Sequence, residues 1–188
     1  MLDQVLQSLK AAMKIGMHVK TNTILQRGRN ESSWKELLIL AKDIPVDVRF
    51  LELMPIGEGK EGETISNTTL FQKIKEIYPD IKPDERKHGN GPAIYYKIPG
   101  FEGSIGFISA IHGVFCDSCN RLRMTSTGEL KPCLCYDETI SVRDVARCGD
   151  SEKIRENIKH AIQIKPKKHC FSEIEKVSEK KKMAQIGG

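Results

Sequence analysis

The chain has 188 residues, of which 39% are hydrophobic and 29% are charged, and its net charge is +5. This composition is typical of one or two globular domains and excludes a disordered chain. The modest charge allows anionic ligands, but with only 6% aromatic residues it gives no support for nucleic-acid binding. The sequence has no apolar stretch approaching the roughly 18 residues of a membrane helix and no signal-peptide pattern, so we expect a cytoplasmic protein without a membrane partner.

Helices and strands alternate in the first part of the chain. The predicted elements are a helix over 2–13 that ends at Gly16, a strand over 18–25, a helix that opens at a Ser33 capping box, a strand over 46–53 and a helix capped by Asn67. Such alternation favours βα units and a parallel sheet. Only two strands are recognisable, too few for a complete barrel, so we expect a part of something larger with an exposed sheet edge.

The composition changes between Pro79 and Pro92 to Lys, Asp, Glu, Gly and Asn, which indicates a linker or a domain boundary. Two strands are predicted over 93–98 and 103–109, then a turn at Thr127-Gly128, a capping box at Ser141 and Asp144, and a last helix over about 151–164. We therefore predict one domain over residues 1–80, a second over 81–171 and a tail over 172–188. By spacing alone, the terminal Gly-Gly is a frayed end.

Three of the six cysteines form a tight, ligand-like pattern: Cys116, Cys119 and Cys133. In such a chain, cysteines are metal ligands or free thiols rather than a disulfide framework. Two thiolates three residues apart can hold one metal or cluster from a turn, and the turn at Gly128 lets Cys133 return on an adjacent strand. Three soft ligands suit either iron–sulfur or zinc chemistry, and the spacing leaves both open.

A structural zinc site would need a fourth protein ligand. Cys135 could supply it, since residues two apart on a strand share a face, and His112 is also close in sequence. We interpret Cys135 as structural. The five histidines show no metal-ligand spacing among themselves, and the lysine runs around Lys165 and Lys180 are predicted to be solvated.

Arg121 and Arg123 alternate on one side of a predicted strand, directly after the cysteine pair. Arginine forks match phosphate oxygens in a bidentate way, so two of them beside a metal site would suit a polyphosphate. The alternative is a solvated edge strand, because charged residues commonly protect strand edges.

Polar side chains also follow the two predicted parallel strands. Lys20 and Asn22 alternate along the first strand, and Arg49 lies on the second. Met54 lies near the carboxyl end of the second strand, where α/β sheets form ligand sites. Met54 could contact a cofactor, although a lone methionine is more often core filler.

The cysteine–arginine run, Phe115 to Thr125, closely resembles the C-terminal signature of the GTP 3′,8-cyclases, the radical S-adenosylmethionine lyases of molybdenum cofactor biosynthesis. Further matches are Gly128, Leu130, Cys133 and Leu134, residues 106–109, and the ending Ile186-Gly187-Gly188. Residues 20–22 and 48–54 resemble the later barrel strands of the family. The resemblance covers nearly the whole chain.

The resemblance implies an α/β fold: the C-terminal part of an incomplete (β/α) radical-SAM barrel, followed by a small α+β cluster-binding domain. Cys116, Cys119 and Cys133 would hold a second 4Fe–4S cluster whose open iron contacts the guanine of GTP. The remaining implied residues are Arg121, Arg123, Lys20 and Arg49 for the triphosphate of GTP, Asn22 and Met54 for S-adenosylmethionine, and Gly187 and Gly188 for a tail that enters the active site and supports radical initiation.

In the family, a 5′-deoxyadenosyl radical takes hydrogen from the ribose C3′ of GTP, and the resulting radical attacks C8 of the guanine. The C-x3-C-x2-C motif that binds the first cluster does not occur in this sequence. We therefore expect a fragment, a truncated product or one piece of a split enzyme, inactive alone, with a missing N-terminal half or a second copy of the chain as partner. The alternative is a non-catalytic module that binds a nucleotide or a partner and carries a structural metal site.

Overall fold

The computed structural model describes residues 2–113 and 115–186, which form two compact units. The first, here called the sheet unit, contains residues 2–53 and 63–113, and the second, called the cysteine unit, contains residues 54–62 and 115–186. Both units combine helices and strands, which confirms the α/β class. The division at residues 80 and 171 stays a prediction. Among the helices of the described residues, none has the length and apolar character needed to cross a membrane.

The sheet unit is built on a mixed five-stranded sheet. Its elements are α1 (Leu2–Lys14), β1 (Val19–Ile24), α2 (Trp34–Asp43), β2 (Val46–Leu51), α3 (Asn67–Ile77), β3 (Lys82–Pro83), β4 (Ile94–Lys97) and β5 (Ser104–Ile108). The strand order is β1-β2-β5-β4-β3. β1, β2 and β5 run parallel, whereas β4 pairs antiparallel with β5 and β3. The predicted parallel pair is confirmed, and β5 adds a third parallel strand.

The core of the sheet unit follows from the apolar central strands. Val46, Val48 and Phe50 of β2 are fully buried, as expected for a parallel strand that is covered on both faces. The helices cover the sheet with a few buried apolar side chains, namely Trp34, Leu38 and Ala41 of α2 and Leu70 and Ile74 of α3. β1 lies at the edge of the sheet, with β2 as its one strand neighbour among the described residues.

Three predicted helix caps differ from the structure. Ser33 has helical angles (φ −65°, ψ −9°) and makes no cap hydrogen bond, because a cap requires an extended residue. α3 is capped by Ser66, whose side chain accepts from the backbone N–H of Thr69, and Asn67 is instead the first helical residue. The predicted capping box at Ser141 is also wrong, because Val142 is the residue that precedes the short helix.

The cysteine unit contains a small antiparallel sheet and two helices. Its elements are β6 (Arg123–Met124), β7 (Glu129–Lys131), β8 (Ile140–Ser141), α4 (Arg143–Arg147) and α5 (Ser151–Gln163), with strand order β6-β7-β8. Gly128 has φ +83° in the turn between β6 and β7, which confirms the predicted turn. Leu130, Val142 and Ala161 form a small core. β6 begins at Arg123, so the prediction that Arg121 lies on the same strand is wrong.

The end of the described chain packs within the cysteine unit. Ile186 is fully buried, and the Nζ of Lys182 lies 2.8 Å from Oε1 of Glu58. A side chain at Gly57 would come within 3.2 Å of the Cα of Lys182. Residues 54–62 therefore contact the segment that leads to the C-terminus. The predicted functional tail, Gly187 and Gly188, lies outside the described residues.

Candidate functional site

The first two cysteines of the pattern lie on one tight turn. Cys116–Ser118 forms a 3₁₀ turn, and the backbone N–H of Cys119 donates to the carbonyl oxygen of Cys116 at 3.0 Å. Side chains three residues apart eclipse on a 3₁₀ turn. The local sequence therefore directs the thiols of Cys116 and Cys119 to the same side.

The third cysteine reaches the same place through the small sheet. β6 pairs antiparallel with β7, with Arg123 opposite Lys131, and Cys133 follows β7 by two residues. Burial raises the pKa of Cys133, and the nearby thiols of Cys116 and Cys119 raise it further. The backbone N–H of Cys135 and the charge of Lys165 act in the opposite direction. The three predicted ligands thus lie close enough for their charges to repel, as expected of a site for a cation.

The spacing of the three thiols bears on the choice between zinc and a cluster. Thiolates around a tetrahedral zinc ion lie about 3.8 Å apart, given bonds of about 2.3 Å. Within residues 2–113 and 115–186, the one set of three His, Cys, Asp or Glu ligand atoms that lie within 4.8 Å of one another does not include these cysteines. The three sulfur atoms are therefore not already placed as they would be around a single zinc ion.

Cys135 is paired with a different cysteine. Its sulfur lies 2.7 Å from the sulfur of Cys170 and accepts from the backbone N–H of Cys170 at 3.1 Å. Both residues are buried. Burial, and then the neighbouring thiol, raise the pKa of Cys135 well above its ordinary value. This contact with a second buried thiol supports the structural role predicted for Cys135.

Lys165 stabilises the loops that carry the cysteines. Its ammonium donates to the carbonyl oxygens of Arg121 at 2.9 Å and of Pro132 at 2.8 Å. Arg121 lies two residues before β6 and Pro132 directly precedes Cys133, so one side chain joins both loops. The prediction of solvated lysines is confirmed for Lys167, Lys168 and Lys180, which are exposed, but Lys165 is half-buried and hydrogen-bonded.

The two arginines beside the cysteines differ in environment. Arg123 is half-buried and Arg121 is exposed. Burial lowers the pKa of Arg123, the charge of Arg121 lowers it further, and Cys119 raises it. A guanidinium in such surroundings interacts more strongly with an anion than one in water. A cavity of about 190 Å³, lined by Pro132, Cys133, Tyr136, Glu138 and Pro166, opens beside the third cysteine.

A second basic pocket lies in the sheet unit. Lys20 of β1 and Arg49 of β2 line a cavity of about 420 Å³ together with residues of the segment 83–95. The Nε of Arg49 is buried and has no hydrogen-bond partner among the described residues. Gly106 provides space, since a Cβ there would lie 2.9 Å from the Cγ of Arg49 and from the ring of Tyr95. A buried guanidinium nitrogen without a partner indicates a place for an anionic ligand.

The residues predicted to contact S-adenosylmethionine lie in different units. Asn22 is exposed on β1 in the sheet unit, and Met54 is half-buried in the cysteine unit. The sheet unit also contains a cluster of three residues that was not predicted from the sequence: His18, Asp47 and His88. These residues are 29 and 41 positions apart, and no local spacing signals them.

Comparison with known proteins identifies the class of the chain. Residues 46–171 match the family model described as Molybdenum Cofactor Synthesis C, and the chain belongs to this family. Over its whole length it is 42% identical to a GTP 3′,8-cyclase of Clostridium perfringens (strain 13 / Type A) and 39% identical to one of Alkaliphilus metalliredigens. It is 36% identical, over 99% of its length, to a GTP 3′,8-cyclase of Petrotoga mobilis. The chain spans about 58% of each of these relatives. The resemblance seen in the cysteine–arginine run is confirmed.

Proposed function

We propose that the chain is the C-terminal portion of a GTP 3′,8-cyclase, which binds GTP through a 4Fe–4S cluster and basic residues. The observation that carries this proposal is the convergence of three thiols, Cys116, Cys119 and Cys133, beside the half-buried Arg123. A soft ligand set next to a fixed cation suits a cluster that receives an anionic substrate.

The cysteine unit would hold the cluster through these three thiolates. When bound, the cluster supplies an iron without a protein ligand, open to a nitrogen or oxygen of the purine. The backbone N–H of His169 donates to the sulfur of Cys116 at 3.4 Å. Such hydrogen bonds withdraw electron density from a ligating sulfur and tune the potential of the centre.

The basic residues would bind the triphosphate. Arg121 and Arg123 each offer a planar fork that can bind phosphate oxygens in a bidentate way. Lys20 and Arg49 line the basic pocket of the sheet unit, where the unpartnered Nε of Arg49 supports a phosphate ligand. Positive charge at these positions would orient the nucleotide and neutralise its phosphates.

The remaining roles depend on the family resemblance. Asn22 and Met54 would contact S-adenosylmethionine, and Gly187 and Gly188 would support radical initiation. The sheet unit would be the last part of a radical-SAM barrel, which its three parallel strands support. The reaction would be the radical cyclisation of GTP, in which C3′ of the ribose becomes joined to C8 of the guanine.

The cluster is tested by anaerobic reconstitution and analysis of iron, sulfide and zinc. We expect about four irons and four sulfides per chain, lost in Cys133→Ser and retained in Cys148→Ser. Cys148 is an exposed cysteine at the end of α4 and serves as the matched control. One zinc per chain without sulfide would overturn the cluster assignment.

Nucleotide binding is tested on the reconstituted protein by electron paramagnetic resonance and equilibrium dialysis with GTP. We expect GTP to change the spectrum of the cluster. Arg49→Gln is expected to weaken GTP binding by about 10- to 100-fold, which corresponds to one charged hydrogen bond. Arg27→Gln is the control, because Arg27 belongs to an exposed ion pair with Glu63. A cluster that forms but does not respond to GTP would instead support a structural metal module.

A further inference from the structure

Two histidine side chains in the sheet unit approach the same carboxylate oxygen of one aspartate. The Nε2 of His18 lies 2.9 Å from Oδ2 of Asp47, and the Nδ1 of His88 lies 2.7 Å from the same oxygen. Among the described residues, this is the one set of three potential ligand atoms that lie within 4.8 Å of one another. Two imidazoles and one carboxylate are a ligand set that zinc and ferrous sites use.

The sheet fixes the positions of the three residues. β1 and β2 are parallel, with Val19 opposite Val46 and Lys20 opposite Asp47, so His18, which precedes β1, lies at the same end of the sheet as Asp47, the second residue of β2. His88 comes from the segment after β3. The side chains of Asp47 and His88 are 4% and 6% exposed, whereas that of His18 is 51% exposed. The cluster is thus buried on two sides and open to solvent on the third.

The hydrogen bonds of His88 cannot all be satisfied by a neutral imidazole. A bond to Asp47 requires the proton on Nδ1, and this tautomer leaves a lone pair on Nε2. Yet Nε2 lies 3.1 Å from Oδ2 of Asp84, which is also an acceptor. Within the described part of the chain, this buried nitrogen has no hydrogen-bond partner. Two buried hydrogen-bond acceptors that face each other without a proton between them lower the stability of the folded chain.

A metal ion on Nδ1 of His88 removes this conflict. The proton then resides on Nε2, which lies 3.1 Å from Oδ2 of Asp84, and a histidine that binds a metal commonly donates its other nitrogen to a carboxylate. Asp84 is held in place by the guanidinium of Arg86 at 2.7 Å and by the hydroxyl of Ser104 at 2.6 Å. The outer carboxylate of a metal site is therefore already positioned.

We propose that His18, Asp47 and His88 bind one divalent transition-metal ion, with Zn²⁺ as the best match to the ligands. Bonds of about 2.0–2.1 Å in tetrahedral geometry separate ligand atoms by about 3.3 Å, so each histidine nitrogen needs to move away from Oδ2 of Asp47 by only about 0.5 Å. The exposed side of His18 leaves the fourth position to water. The ion would fasten the segment that carries His88 to β1 and β2, where the ammonium of Lys20 donates to the carbonyl oxygen of His88.

Co²⁺ is the probe, because it adopts the geometry of Zn²⁺ and its absorption reports the ligand type. Cobalt bound by thiolates gives intense sulfur-to-metal charge transfer, whereas cobalt bound by nitrogen and oxygen gives only ligand-field bands. We expect the full chain to show the second signature from one Co²⁺, displaced by added Zn²⁺, in addition to thiolate charge transfer from cobalt at Cys116, Cys119 and Cys133. His18→Gln is expected to weaken this binding on the order of 100-fold, since the loss of an outer partner alone costs about 10- to 100-fold.

His112→Gln is the matched control. His112 is also half-exposed, at 49%, and its Nδ1 lies 3.0 Å from the buried carboxylate of Glu52, but no second histidine of the described residues joins them. Cobalt binding should be unchanged in this variant. Asp84→Asn is a second test variant if His18→Gln does not fold, and we expect it to weaken Co²⁺ binding by about 10-fold or more. Cobalt signals from thiolates alone, or equal affinity in wild type and His18→Gln, would overturn the proposal.

Discussion

Lys131 and Glu179 form a buried ion pair in the cysteine unit, with 1% and 2% of their side chains exposed. The ammonium of Lys131 also donates to the carbonyl oxygen of Tyr136, and Oε1 of Glu179 accepts from the backbone N–H of Lys181 at 2.7 Å. The first of these bonds closes the loop that contains Cys133. The ion pair therefore connects the end of β7 to the C-terminal segment.

Replacement of Glu179 by glutamine removes the negative charge and leaves the ammonium of Lys131 buried without a counter-ion. Breaking a buried pair in this way costs about 3–5 kcal/mol, a large part of the roughly 5–15 kcal/mol that stabilises a typical protein. We expect Glu179→Gln to lower the free energy of unfolding by about 3–5 kcal/mol. The double variant Lys131→Met/Glu179→Leu should recover most of this loss, because no charge then remains buried.

The assay is urea unfolding followed by far-UV circular dichroism. The control is Glu58→Gln, which breaks the pair between Glu58 and Lys182 in the same unit. Both of its side chains are largely exposed, at 84% and 68%, so the expected change in unfolding free energy is much smaller than that of Glu179→Gln. An equal effect of the two single variants, or a double variant as unstable as Glu179→Gln, would refute the reasoning.

Two further predictions concern the sheet unit. Hydrogen bonds from Arg86, and then from Ser104, outweigh burial and hold the pKa of Asp84 well below its ordinary value. Its stabilising contribution is therefore complete above the unfolded pKa of about 4 and is lost as the pH falls towards the lower folded pKa. Unfolding midpoints between about pH 5 and pH 2 should therefore fall less steeply in Asp84→Asn. A Cβ at Gly106 would lie 2.9 Å from the Cγ of Arg49. We therefore expect Gly106→Ala to lower the free energy of unfolding in urea by about 1–3 kcal/mol and to weaken GTP binding. Unchanged stability and unchanged GTP affinity would contradict this crowding.

Features that depend on a few neighbouring residues could be predicted from the sequence. The turn of Cys116 and Cys119, the turn at Gly128 and the helix that ends before Gly16 all occur as expected. Their geometry depends on local backbone preferences and on spacing within one turn. The strand pattern likewise indicated the parallel pair, because the buried apolar run of β2 is characteristic of a covered strand.

Helix caps could be predicted only in part, because several residues in a row can serve. Ser66 caps α3 although Asn67 has an equally suitable side chain, and Ser33 continues a helical turn rather than capping one. The choice depends on which residue is extended where the chain enters the helix. That angle is determined by the packing of the helix on the sheet.

The ligand-like pattern of Cys116, Cys119 and Cys133 and the basic residues beside it could be recognised in the sequence, because such patterns depend on residue type and short spacing. The pairing of β5 with β2, the link that Lys165 makes between two loops, and the meeting of His18, Asp47 and His88 could be seen only in the folded chain. The physical reason is distance along the chain. Contacts between residues tens of positions apart are created by strand register and core packing, which no local pattern encodes.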